Sequence, residues 1–597
     1  MPTVFIVLAE RRCLGVAAAA LLAACARQPA RQPAPPAAAA ARAAAASATA
    51  PPALAPVESA YAELRYLRDR FDITTATGQA ASPDGEPLVT LAHRFNAMRR
   101  ALAPRLAAVD AGGLGAEDRR ALDVMRGTFE RDLGELSDAP TADDGVDASP
   151  PDCAYDARAV ASASNGLDSL TRRVYACYGW AQHHVMLDGE RMDRLTVLSA
   201  LARTDDRARR RRLFLALDPV WRSVNGDNGA ASPFRQLVAL AARRRGAAEP
   251  PAAARARGLG VHPDSMERWL LAMLETWRAS TPDSLLEPWD WHYMGGRASR
   301  VLSPKLPPAR LTNLNAEVFR ALGADVDSLR VHYDLAPREG KTPVAFTTFG
   351  ARAGPRGGAW APAEPWVFAT YRAGGLDNLN ELLHETGHAV HIAAVRTRPA
   401  FADWPDSDPF TEGLADFIAL DAYEPAWQQR WLGDSVPLAD GLRGRYAGVV
   451  LDVAWALFEV RMQRDPGADP NQVWTAITRD YLKIRPHPEL SWWAMRGQLV
   501  NSPGYMMNYA IGSILIAAVR ARTRELHGPF AAGDPTWYAW VAPRLFRFGL
   551  ERPSREVLEE FLGGPLSPTA ILADMQRMQR MQRTQGAGTR GPAEAQP

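Results

Sequence analysis

Residues 382–391 read LLHETGHAVH and set three histidines and a glutamate among apolar side chains. That pattern is a buried helix with one polar face. On a helix His384 and His388, four apart, stand one turn above each other, close enough for both imidazoles to reach one cation. Glu385 lies between them. The pattern H-E-x-x-H with that geometry pairs two zinc ligands with a general base toward a water. Two ligands do not make a site, however, and polar residues sharing one face of a core helix would give the same ten letters.

A third ligand must therefore come from elsewhere. Position 394 is Ala394 and the seventh position of the pattern is His391 rather than glycine, which excludes the elongated three-histidine variant. A carboxylate from a following helix is the other solution, and Asp406, Asp408 and Glu412 are within reach. Asp406 and Asp408 sit in DWPDSDPF, where the prolines predict a loop. Glu412 belongs to TEGLADFIALDAY, in which Leu414, Phe417, Ile418 and Leu420 predict a buried helical face. Asp416, four residues on, shares the face of Glu412 and is placed to hydrogen-bond the distal nitrogen of a ligating histidine. Two surface acids near a helix N-terminus are the competing reading.

Around this core the chain is mainly helical. SAYAELRYLRDRF, EPLVTLAHRFNAMRRALAPRLAAV and SMERWLLAMLETWRASTPDSLLEPWDWHYM carry apolar residues every three to four positions. So do GVVLDVAWALFEVRM and YAIGSILIAAVRARTREL, whereas only TPVAFTTFG and PWVFATY have the β-branched and aromatic composition of short strands. A mainly α fold with a small sheet beside the H-E-x-x-H helix is expected. Lys and Arg number 69 against 67 Asp and Glu, a net of +2, so no global field recruits nucleic acid. The runs RARRRR (207–212) and ARRRG (242–246) then read as solvated helix faces.

The N-terminus has its own logic. Arg11 and Arg12 precede CLGVAAAALLAAC, a charged and apolar pair of segments of secretory type. Its end, Leu22 to Cys25, resembles the lipobox of bacterial lipoproteins, which implies cleavage before Cys25 and lipid on that residue. The expected order is a signal at 1–24, an Ala/Pro-rich tether at 25–56, a helical lobe at 57–330, a catalytic region at 331–581 and a disordered tail at 582–597. In an exported chain Cys153 and Cys177 would be the two remaining cysteines, in a compartment where disulfides persist. They either pair or stay as separate buried thiols.

HETGHAVH followed by FTEGLADFIAL resembles the zinc peptidases of the thimet oligopeptidase and oligopeptidase F family. In the spacing of the ligand glutamate and the following aspartate it is similar to angiotensin-converting enzyme. YDLAPREGKTPVAF, PWVFATY and EPWDWHY resemble further segments of the oligopeptidases, and NSPGYMMNYAIGS resembles their Gly- and Tyr-rich segment. The resemblance implies a gluzincin-type hydrolase with an ellipsoidal, two-lobed helical body and a deep central channel, acting on short peptides. It implies one Zn2+ per chain held by His384, His388 and Glu412, with Asp416 and His391 beside the ligands. Glu385 becomes the base, and Tyr509 and Tyr505 become donors to the developing oxyanion, Tyr509 first. Two departures stand out: the stretch RGQLVNSPG lacks the histidine that these families carry upstream of their tyrosines, and Asn508 stands where the converting enzyme has an arginine. His487 is the nearest histidine but its spacing differs. Oligopeptidase and peptidyl-dipeptidase action both remain open. The alternative is a non-catalytic zinc- or peptide-binding lipoprotein of the envelope, facing the periplasm and held to the membrane by its lipid alone.

Overall fold

The apolar periodicity that begins near Val57 becomes a series of helices in the computed structural model, which describes residues 54–137, 150–338, 341, 344–356 and 359–588. Helix α1 (Ala55–Thr77) carries Pro56 in its first turn, where the missing N–H costs nothing, and ends at Gly78 with φ 68°. Its buried face, Tyr61, Leu64 and Phe71 among others, packs on α2 (Leu88–Ala108) and α3 (Ala116–Asp132), and the three form a core of their own. Buried ion pairs tie this unit to the rest: Arg65 to Asp403 at 2.8 Å and Glu58 to Arg398 at 2.8 Å.

The main core is mostly helical, with Val185 of the first hairpin and Val367 of the small sheet also buried in it. Helix α4 (Gly166–His183) leads into a hairpin of β1 (Val185–Leu187) and β2 (Glu190–Met192), and α5 (Pro251–Gly258) follows further along. Cys177 of α4 is disulfide-bonded to Cys153, with Cα atoms 5.9 Å apart, so the two cysteines pair. The arginine run at 207–212 is not wholly solvated. Arg210 is buried and grips Asp290 at 2.7 Å, with its guanidinium 4.1 Å above the Tyr293 ring.

One small sheet interrupts the helices. Its order is β3 (His332–Asp334), β7 (Glu364–Phe368), β4 (Phe346–Ala351), with β3 parallel and β4 antiparallel to the central strand. The short β3 is not evident from composition. A separate hairpin, β5 (Gly354–Arg356) with β6 (Ala359–Ala361), links β4 to β7. Against this sheet packs α6 (Leu376–Ala394), the H-E-x-x-H helix, followed by α7 (Asp408–Ala419), α8 (Leu438–Arg464), α9 (Met506–Leu526) and α10 (Thr569–Gly588).

The fold is therefore mainly α with a small sheet beside the motif helix. Helix α1 begins at Ala55 and α10 runs to Gly588. The signal, Cys25 and the tether up to residue 53 lie outside the described residues, as does 589–597. Among the described residues, no helix is long and apolar enough to cross a membrane.

Candidate metal centre

Helix α6 buries Leu376, Leu379, Leu382 and Leu383 completely, and this fixes which way its polar face looks. Glycine then sets how close its neighbour comes. A Cβ on Gly387 would lie 2.2 Å from the Ala415 carbonyl oxygen, so α6 and α7 meet backbone to backbone. Gly413 lets α7 approach α9 in the same way, since a Cβ there would lie 2.9 Å from the Gly512 carbonyl oxygen. Two glycines thus draw three helices together around one spot. Thr386 anchors the motif from the other side: its hydroxyl lies 3.0 Å from Asn315 Nδ2 and 3.1 Å from the Tyr333 hydroxyl of β3.

This approach brings three ligand atoms together. His384 Nε2 is 3.6 Å and His388 Nε2 3.9 Å from Glu412 Oε2, and all three atoms lie within 4.8 Å of one another. Ligands at 2.0–2.2 Å from a tetrahedral ion stand roughly 3.4 Å apart, so the donor set of two imidazoles and a carboxylate fits zinc in kind and in spacing. Asp416 does what its position one turn after Glu412 predicts, accepting from His384 Nδ1 at 2.8 Å and leaving Nε2 turned to the cluster. Burial alone would lower the His384 pKa, but Asp416, with Glu412, raises it well above the ordinary value. Burial and the neighbouring His384 charge keep His388 neutral, with a pKa well below the ordinary value.

The competing carboxylates are occupied elsewhere. Asp406 accepts from the backbone and the hydroxyl of Ser554, at 2.8 and 2.6 Å. Asp408 is not in a loop; it opens α7 and binds Arg255 at 2.6 Å. Glu412 is thus the acid that reaches the histidines.

Glu385 is 7% exposed, and its Oε2 lies 2.7 Å from the Thr347 hydroxyl of β4. Burial pushes its pKa up to about 7 against the opposing pull of His384 and Thr347. Sequence reasoning missed Thr347, although strand alternation puts it on the face of Phe349, whose ring packs 5.2 Å from Trp404. Trp404 in turn stands edge-on to His388 at 5.5 Å. His391 is buried one turn after His388 in α6. It is 1% exposed, neither ring nitrogen has a hydrogen-bond partner among the described residues, and burial lowers its pKa to about 3. It packs 5.0 Å from Phe546 and 6.1 Å from Trp404, the ring that also stands against His388.

Tyr505 and Tyr509 open α9, their rings 5.5 Å apart. Both hydroxyls are held neutral, first by burial and then by nearby negative charge. Glu412 raises the pKa of each, and Glu385 also raises that of Tyr509. His292, its pKa lowered to about 4 first by burial and then by Arg496, lies within electrostatic reach of the arginine beside Tyr509. His487 is bound 2.8 Å from Glu287 and 2.7 Å from Glu489, so its ring nitrogens are engaged there. Instead Arg496, from the stretch where the histidine is missing, stands 5.7 Å over the Tyr509 ring and pairs with Asp452.

No protein-family model matches the chain, and neither does any curated protein sequence. Solved structures do. The M32 carboxypeptidase from Deinococcus radiodurans R1 is 15% identical with a TM-score of 0.52, covering 88% of this chain and 99% of its own. The Pyrococcus furiosus carboxypeptidase is 14% identical with a TM-score of 0.52, over 89% and 99%. A structure described as an oligoendopeptidase F is 15% identical with a TM-score of 0.50, over 87% and 96%. At such identities the likeness establishes the fold, and nearly the whole length of each of these chains shares it with this one.

Proposed function

We propose that this chain is a zinc metallopeptidase that hydrolyses short peptides in the bacterial cell envelope. The convergence of His384, His388 and Glu412, with the buried Glu385 between the histidines, is the observation that carries this reading. Metal, when bound, supplies Lewis-acid polarisation to the attacking water and the scissile carbonyl. The protein supplies the proton traffic. Glu385 takes the proton of the water and returns it to the leaving nitrogen, a task suited to a carboxyl whose burial holds its pKa up to about 7. Thr347 fixes the direction of that carboxylate. Tyr509, kept protonated, donates to the carbonyl oxygen as negative charge develops on it, with Tyr505 beside it.

Two of the fold neighbours are carboxypeptidases by name and one is an oligoendopeptidase, so peptides are the substrate class that the shared fold favours. A two-lobed body with a central channel would admit them extended. The Cys153–Cys177 disulfide favours an oxidising compartment, in line with a lipidated, exported chain anchored through Cys25. The test compares purified wild type with Glu385→Gln on a mixed peptide library, with zinc measured in both and products identified by mass. Wild type should hold about one zinc and lose cleavage to chelators; Glu385→Gln should keep zinc and lose roughly 10²- to 10⁴-fold in rate. Equal cleavage by the two forms, or protein that binds no zinc, would sink the reading. Terminal against internal product ends decide between exo- and endopeptidase action.

A further inference from the structure

Glu459 lies near the middle of α8, 5% exposed, and its two carboxylate oxygens are directed at backbone rather than at a cation. Oε1 accepts from the Gly504 amide at 2.7 Å and Oε2 from the Met506 amide at 3.0 Å. Those amides flank Tyr505. The first amides of a helix have no partner within it, and a negative group placed there is favoured by the helix dipole as well. The Tyr505 amide itself is taken by the Ser502 carbonyl at 2.9 Å, so the whole turn is fixed. Gly504 has φ 87°, and a Cβ there would come 2.7 Å from the Pro251 carbonyl carbon of α5. From the same helix Arg255 reaches over the Tyr505 ring at 5.8 Å and binds Asp408 of α7.

We infer that Glu459 is a positioning residue: by clamping the Gly504–Met506 turn it sets Tyr505 and Tyr509 toward the metal centre. The inference rests on the peptidase reading for its kinetic consequence, though not for the clamp itself. One amide on each side of Tyr505 is held by a single rigid carboxylate on another helix. The phenol of Tyr505 and, one helical turn later, that of Tyr509 therefore take their direction from α8. Misplacement of a catalytic donor by about 1 Å costs on the order of 10²-fold in rate.

The experiment uses Glu459→Gln, which keeps the volume and one acceptor, alongside Glu459→Ala, Tyr509→Phe and the Glu459→Gln/Tyr509→Phe double variant. Zinc content should equal that of wild type. In Glu459→Gln kcat should fall about 10- to 100-fold with KM little changed. The double variant should lose less than the product of the two single losses, because the Tyr509 hydroxyl is the principal donor on which both changes act and only the share carried by Tyr505 is left to lose. Hydrogen exchange should show the Gly504 and Met506 amides both losing protection in Glu459→Ala and at least one of them losing it in Glu459→Gln. Full kcat in Glu459→Gln, losses that multiply in the double variant, or unchanged protection of the two amides would each overturn the inference. Wild type that cleaves no peptide would fell the peptidase reading instead, and amide exchange would then decide the clamp by itself. If Glu459→Ala does not fold, Glu459→Gln carries the comparison.

Discussion

Gly387 and Ala415 meet where α6 crosses α7, so closely that a Cβ on the glycine would lie 2.2 Å from the alanine carbonyl oxygen. That contact sets the distance between the two histidines and the glutamate that answers them. Gly387→Ala must push the helices apart, since the obstructing atom is backbone. Overpacking of this kind costs about 1–3 kcal/mol. The variant should melt lower and, in what remains folded, bind zinc more weakly, because Glu412 is carried away from His384 and His388. Zinc titration beside a thermal melt checks this; wild-type affinity would show that the helix contact does not set the ligand spacing.

Asp416 touches the centre through His384, at 2.8 Å. Asp416→Asn keeps shape but removes the charge that supports the Nδ1–H of the ligand. Loss of such a partner lowers metal affinity by about 10- to 100-fold. Glu412→Ala, which deletes a ligand atom, should cost more. Competition with a chelator of known affinity ranks the two variants, and the reverse order would reassign the third ligand.

The parts of this site legible in sequence are those set by helix periodicity. His384, Glu385 and His388 within one turn, and Glu412 and Asp416 within the next helix, follow from a rise and a rotation that do not depend on the rest of the fold. What is not legible is tertiary. His391, seven residues after His384, shares its helical face, but its neighbours Trp404, Phe410 and Phe546 come from three other places in the chain. The prolines around Asp408 predict a loop, but Pro409 sits in the first turn of α7, where proline is tolerated. Arg210 reads as a solvated charge until Asp290, 80 residues away, is brought against it. Nothing local marks Glu459 either, since the turn it holds lies in a different helix.

The Thr347 hydroxyl donates to the base, 2.7 Å from Glu385 Oε2. Thr347→Val preserves shape within β4 and removes that donor. A hydrogen bond to a charged group is worth about 1.5–3 kcal/mol. Without it the ionised form of Glu385 is less favoured, so kcat should fall about tenfold or more at neutral pH, each tenfold step being about 1.4 kcal/mol. Zinc content should stay at the wild-type value. Unchanged kcat across neutral pH would remove Thr347 from the account.

Glu459 also predicts how stability depends on pH. Burial pushes its carboxyl up to about 7, against the Gly504 and Met506 amides and Arg255, all of which pull it down; the ordinary value is 4.5. Between those two values the folded chain keeps a proton that the unfolded chain has released. Stability from this group is therefore greatest below pH 4.5, falls as pH rises toward 7 and is level above that. The full span is on the order of 3 kcal/mol, at 1.36 kcal/mol for each pH unit between the two values. Glu459→Gln cannot titrate, so urea unfolding of wild type and variant at several pH values isolates the effect, other groups cancelling in the difference. The stability of wild type relative to the variant should decline across pH 4.5–7; parallel curves would mean that Glu459 ionises in the folded chain as it does in the unfolded one.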